Sequence, residues 1–144
     1  MQTFKEIRQI IIDLCKFKNA CGSENTPHNK EFGKLVNAKT EKEFWEVIVT
    51  NGNWCYDNEI LKTENFEKYG QDKMAKFGIF WEGKHKVINK KCYAWDSSTV
   101  VAMGSSTVEA MGSSTVVAMG SSTVVARGSS TVVAWGSSSV KKAN

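Results

Sequence analysis

From Ser97 the chain repeats itself every eight residues. SSTVVAMG, SSTVEAMG, SSTVVAMG, SSTVVARG and SSTVVAWG follow without a gap, and an altered copy, SSSVKKAN, runs from Ser137 to Asn144. A period this short, rich in β-branched residues, restricts the fold to a β-solenoid, where each repeat buries its inner face only by stacking on its neighbours. Upstream, NKKCYAWD at Asn89 to Asp96 fits the same frame, with Cys92 in the Val position and Asp96 in the Gly position. The frame places the start of the solenoid near Asn89, dividing the chain into a head of residues 1–88 and a solenoid of residues 89–144.

Within an octad the second Ser, the first Val and the Ala alternate with Thr and two variable positions, the period-2 signature of a strand with one buried face. Ser98, Val100 and Ala102 are therefore expected inside, and Thr99, Val101 and Met103 outside. Eight residues supply about five of strand, roughly 17 Å, and a corner; one such unit cannot enclose an interior. Two octads per coil is the smallest closed solution, and it sets the Val of one wall against the Ala of the other, large against small. The fold class read from the sequence is thus α+β: a small helical domain capping a two-sided β-solenoid of 16 residues per coil. The repeated Gly residues are expected at corners, where positive φ penalises a Cβ.

A coil of two octads sorts the outward residues by parity. One face carries Thr99, Val101 and Met103, then Thr115, Val117 and Met119, then Thr131, Val133 and Trp135, without a charge. The other carries Lys91, Tyr93, Trp95, Glu109, Met111, Val125, Arg127 and Lys141, so every outward charge in the octad strands falls on it. A flat apolar array exceeds what a soluble monomer usually leaves bare, and the nine residues of the first face are expected to form a homodimer interface. At the far end Lys142 replaces the inward Ala and Lys141 adds a second charge, an arrangement that discourages further strand pairing.

The head reads as helical and aromatic. Phe4, Ile7, Ile10, Ile11, Leu14 and Phe17 recur at helical spacing. A short helix is expected over residues 30–36, and Thr40 with Glu43 forms a capping box opening a helix that ends at Asn51 and Gly52. Phe44, Trp45, Ile48 and Val49 give that helix its buried stripe, and Asn53 to Leu61 continue as a fourth helical segment. Residues 71–87 suit either a helix or an entry strand. The head has at least the task of covering the solenoid's first coil.

No catalytic constellation emerges. Cys15, Cys21, Cys55 and Cys92 show neither a CxxC pair nor a His at ligand spacing, so they read as reduced thiols with no metal and no cofactor. His28 and His85 read as surface residues, and the repeated Ser and Thr as corner and strand residues without a companion base. The protein is expected not to be an enzyme. Its net charge of +4 arises mostly after residue 88, where five basic residues face two acidic ones. That mild excess can steer the chain toward phosphates, including an RNA contact through basic residues. No apolar run reaches the roughly 18 residues of a membrane span, and Glu6, Arg8 and Asp13 interrupt the N-terminal apolar stretch, so no membrane association and a cytoplasmic location are expected.

With its octads laid out, the chain resembles small proteins of bacteriophages and prophages in which STVxAxGSS-type octapeptides follow a Trp-containing helical segment, here EFWEVIVTNGNWCYDNE at Glu43 to Glu59. The resemblance implies a mobile-element setting in the bacterial host cytoplasm. It also implies a protein that works by binding host defence machinery, an anti-CRISPR-like inhibitor of a host protein or ribonucleoprotein. The residues expected to carry such contacts are Lys16, Lys18, Trp54, Tyr56, Trp81, Lys90 and Lys91. The alternative is a structural module in which the Thr-Val-Met face assembles the chain as a homodimer or scaffold. Ice binding through Thr rows is disfavoured, because Met or Trp lies beside them.

Overall fold

A computed structural model describes residues 2–18 and 27–142, in two compact units that divide between Gly70 and Gln71. Cys21 lies outside the described residues, and so does the side chain of His28. The first unit is helical: α1 (Phe4–Phe17), α2 (Pro27–Val36), α3 (Glu41–Thr50), α4 (Gly52–Asp57) and α5 (Thr63–Phe66). A capping box of Thr3 and Glu6 opens α1. The helix buries Ile7, Ile11, Ile12 and Cys15, and leaves Ile10 39% and Phe17 78% exposed. The expected stripe is thus rotated, because Ile7, Ile11 and Cys15 recur at i, i+4 and i+8 while Ile10 and Phe17 lie more than a quarter turn from its centre.

At α3 Thr40 accepts the Glu43 amide at 3.1 Å as expected, but the Glu43 carboxylate bonds the Lys39 amide at 3.0 Å, one residue beyond the box. Gly52 does not stop that helix; it opens α4, and Asn51 is the cap between the two. The core of this unit is aromatic: Phe44 meets Phe4 and Trp45 edge-on at centroid distances of 5.6 and 4.9 Å, and Trp45 lies 5.9 Å from Phe66.

The second unit begins with α6 (Gln71–Ala75) and continues through β1 (Ile79–Phe80), β2 (Lys84–Ile88), β3 (Lys91–Ala94), β4 (Thr99–Met103), β5 (Thr107–Ala110), β6 (Thr115–Ala118), β7 (Thr123–Ala126), β8 (Thr131–Ala134) and β9 (Ser139–Lys142). The strands form two parallel sheets, one ordered β1-β3-β5-β7-β9 and the other β2-β4-β6-β8. Each strand pairs with the next but one, so the chain is a two-sided parallel solenoid of about 4 turns with roughly 16 residues per turn. The interior is as the alternation predicts. Val100, Val108, Val116 and Val124 and Ala102, Ala110 and Ala118 are fully buried, and Cys92 pairs with Val108 in the Val row.

Two features fix the corners. The inward Ser of an octad turns its hydroxyl back to the carbonyl three residues earlier, as Ser98 does to Trp95 at 2.8 Å and Ser114 to Met111 at 2.9 Å. A buried hydroxyl is thereby satisfied while it closes the turn, which Ala could not do. The Gly position needs the left-handed region: Gly120 has φ +69, and Asp96 and Asn89 take it at +52 and +53 in the first corners, as short polar side chains can.

The solenoid starts earlier than its octads do. Ile79 pairs with Tyr93 and Lys84 with Thr99, so the boundary expected between residues 88 and 89 falls inside the second unit, whose first coil is built from residues 79–88. The octad frame misses this coil because its corners are shorter. Lys84 lies fifteen positions before its partner Thr99, whereas Thr99 lies sixteen before Thr115. That one-residue slip exchanges the faces, turning Val87 and His85 inward and Lys84, Lys86 and Ile88 outward. His85 is half-buried, stacked on Phe80 at 4.3 Å, with Nε2 2.7 Å from the Glu82 carbonyl oxygen in an exposed hydrogen bond. The edge of β1 is closed by Gln71, whose amide nitrogen donates to the Ile79 carbonyl at 2.8 Å while its oxygen accepts the amides of Trp81 and Glu82 at 2.6 and 3.0 Å. Ala75 of α6 packs on the first coil's apolar core.

Candidate self-association surface

The nine residues expected at a homodimer interface occupy the outer face of one sheet, β2-β4-β6-β8, on its last three rungs. Register arranges them in rows. Thr99, Thr115 and Thr131 stack in one and Val101, Val117 and Val133 in the next, and the amides of Met119 and Trp135, bonded to Ala102 and Ala118 at 2.8 Å, extend the ladder to a third row of Met103, Met119 and Trp135. β2 adds a first rung of Lys84, Lys86 and Ile88 to the heads of these rows. The face is therefore not uncharged, as the octads alone predict: it carries two exposed lysines at one end. Ile88 at 52%, Val133 at 42% and Trp135 at 61% are its exposed large apolar side chains.

The outer face of the other sheet differs. Tyr93, Trp95 and Met111 are buried there, with Trp81 stacked on Trp95 at 5.9 Å. Glu109, expected as a solvent-facing charge, is only 7% exposed and its Oε2 has no hydrogen-bond partner. Burial raises its pKa above the usual carboxylate value, opposed by the charges of Arg127 and Lys91. The sheet that carries the octads' charges is thus largely buried over its first rungs, and the Thr-Val-Met sheet is the exposed one.

The expected partner-binding residues are distributed between the units. Lys16 is exposed on α1, and Lys18 is half-buried, paired with Glu59 at 3.8 Å. Trp54 and Tyr56 are half-buried on α4, Trp54 beside a cavity of about 30 Å³ that it lines with Cys15, Leu35 and Cys55. Lys90 and Lys91 are exposed in the second unit, Lys91 with Nζ 5.6 Å from the Tyr93 ring centroid. Trp81 is 3% exposed and belongs to the packed interior, which corrects its assignment as a contact residue. The sequence leaves residues 71–87 without a clear period, so nothing in it assigns Trp81 to an inner face.

The chemistry of the thiols fits packing. Cys15, Cys55 and Cys92 are buried and free. Burial pushes the thiols of Cys15 and Cys92 up to about 12 and that of Cys55 further, so none is a thiolate nucleophile at neutral pH. Among the described residues no group of three His, Cys, Asp or Glu could hold a metal ion, and no helix is long and apolar enough to cross a membrane. No family model matches this chain, and neither does any curated protein or solved structure.

Proposed function

We propose that the chain is a non-catalytic binding protein whose solenoid pairs with a second copy through the outer face of β2-β4-β6-β8. The observation that carries this reading is the set of outward rows in register on one exposed sheet, with Ile88, Val133 and Trp135 bare at their ends. Four strands about 4.8 Å apart, each about five residues of 3.3 Å, give a face of order 300 Å² per copy. Two such faces, allowing for side-chain relief, bury less than the roughly 1,200 Å² of a standard interface. The pairing is therefore reversible, micromolar or weaker. Sedimentation velocity from micromolar to millimolar protein tests it: wild type should shift from monomer to dimer with concentration, and Val117→Lys should remain a monomer. A wild type that is monomeric at 1 mM, or a dimer untouched by Val117→Lys, would overturn the reading.

A second proposal concerns the target. The octads' resemblance to those of phage and prophage proteins, with the exposed Lys16, Lys90 and Lys91, supports an inhibitor of a host nucleic-acid-targeting defence that contacts its effector protein or ribonucleoprotein directly. Plaque counts on hosts with an active CRISPR system, with and without this gene, should rise when it is expressed. Equal immunity across the available system types would remove the inhibitor reading. Inhibition that survives charge reversal at all three lysines would move the contact to the apolar residues Trp54 and Tyr56.

A further inference from the structure

The pairing proposed above leaves open how two copies are oriented, and the distribution of charge and exposure along the rows distinguishes the alternatives. A symmetric face-to-face contact has its two-fold axis in the plane of the interface. With the axis along the stack of rungs, every rung meets its own counterpart. With the axis along the strands, the ladder is reversed and the first rung of one copy meets the fourth of the other.

In the first arrangement the middle row lies on itself, and Lys86 faces the partner's Lys86 across sheets about 10 Å apart, a gap that two extended lysines fill. Trp135 then meets the partner's Thr131, and Ile88 the partner's Lys84, so the bare apolar groups are matched with polar ones. In the second arrangement the two Lys86 residues stand three rungs apart along the ladder, about 14 Å, and about 10 Å across it. That separation exceeds the Debye length of about 8 Å at physiological ionic strength. The same reversal seats Ile88, 52% exposed, on the partner's Trp135, 61% exposed, twice over, because the two sit at opposite ends of one row. It also brings the Lys86 ammonium beside the partner's indole, where a cation–π contact is favourable.

We infer that two copies of this chain pair with their ladders reversed, the Lys84-Lys86-Ile88 rung of each on the Thr131-Val133-Trp135 rung of the other. The inference rests on the self-pairing reading, and cysteine cross-linking separates their failures. In a Cys21→Ser background, Val133→Cys alone and an equimolar mixture of Val133→Cys with Lys86→Cys are treated with a short bismaleimide that spans the gap of about 10 Å between facing sheets, at concentrations where the protein sediments as a dimer. The reversed ladder predicts at least tenfold more cross-linked dimer in the mixture than in Val133→Cys alone, with the 86–133 link identified by peptide mass spectrometry. Efficient cross-linking of Val133→Cys to itself would overturn the orientation while leaving the pairing intact. A sedimenting dimer that forms neither link would place the contact on another surface and overturn both. Trp135→Ala supplies a second measurement without an introduced cysteine: it should weaken dimerisation at least tenfold, and an unchanged dimer would contradict the seating of Ile88 on Trp135.

Discussion

Replacing Val116 by Asp probes the interior where the rungs are most dependent on one another. Val116 is fully buried in the Val row, between Val100 and Val132 on neighbouring rungs. Removing the valine forfeits about 1.5–3 kcal/mol of apolar burial. The new carboxyl finds the inward row occupied by Val and Ala, and keeping it protonated at neutral pH costs about 4 kcal/mol if its pKa must rise by about three units. The sum, roughly 6 kcal/mol, is comparable to the whole stability of a small domain, so the solenoid beyond the second rung should unfold. Val132→Asp is the internal control. Val132 is only half-buried on the last rung of its sheet, and because a solenoid's stability is close to a sum of neighbour terms, its loss frays one end. Urea unfolding followed by far-ultraviolet circular dichroism would compare the two variants. Val116→Asp is expected to lose most of the native β signal without denaturant and Val132→Asp to keep it. Equal, small effects at the two positions would refute the assignment of Val116 to a closed interior.

Gly120→Ala should cost about 1–2 kcal/mol and more than Gly112→Ala, because both sit at positive φ but a Cβ at Gly120 would lie 3.0 Å from the Gly104 carbonyl oxygen, against 3.4 Å from the nearest atom at Gly112. Thermal melts of the two variants give the difference. Gln71→Ala strips partners from the Ile79 carbonyl and from the Trp81 and Glu82 amides, and should destabilise the second unit by about 2–4 kcal/mol in denaturant titrations. Glu109→Gln should raise the melting temperature at pH 7. The folded state holds the Glu109 proton more tightly than the unfolded chain does, so wild type loses stability as pH rises through the interval between those two pKa values, and the advantage of Gln should vanish when melts are recorded below the ordinary carboxylate range.

The solenoid was legible from Asn89 onward because its octads repeat one alternation without slippage, and alternation is the one signal that assigns a side chain to a face. KHKVI at Lys84 to Ile88 carries the same alternation, yet an eight-residue frame extended back from the octads turns Lys84 and Lys86 inward, and so hides the strand. Only the shortened corner at Asn89 restores the lysines to solvent, and corner length is set by tertiary register rather than by local composition. The octad frame therefore hides the two lysines on the outer face of β2-β4-β6-β8. The burial of Glu109 and Trp81 was illegible for a related reason. A strand's period says which side of a sheet a residue occupies, but not whether that side meets solvent. In the helical unit α1 to α4 were legible and α5, with Phe66 as its one apolar residue, was not, while the face of α1 was obscured because its eight apolar residues outnumber the positions one stripe can bury.

The two faces, their rows and the pairing drawn from them all depend on sixteen residues per coil. That period sets Ser105 and Ser121 side by side at one corner, with Oγ atoms 3.4 Å apart. In a Cys21→Ser background, Ser105→Cys/Ser121→Cys should close an intramolecular disulfide on mild oxidation, detected as a loss of free thiol and a 105–121 cross-linked peptide. Ser105→Cys/Ser129→Cys, spaced as three octads per coil would require, should remain reduced. A bond in the second pair and none in the first would contradict the two-sided coil, and with it the assignment of every residue to the face proposed for pairing.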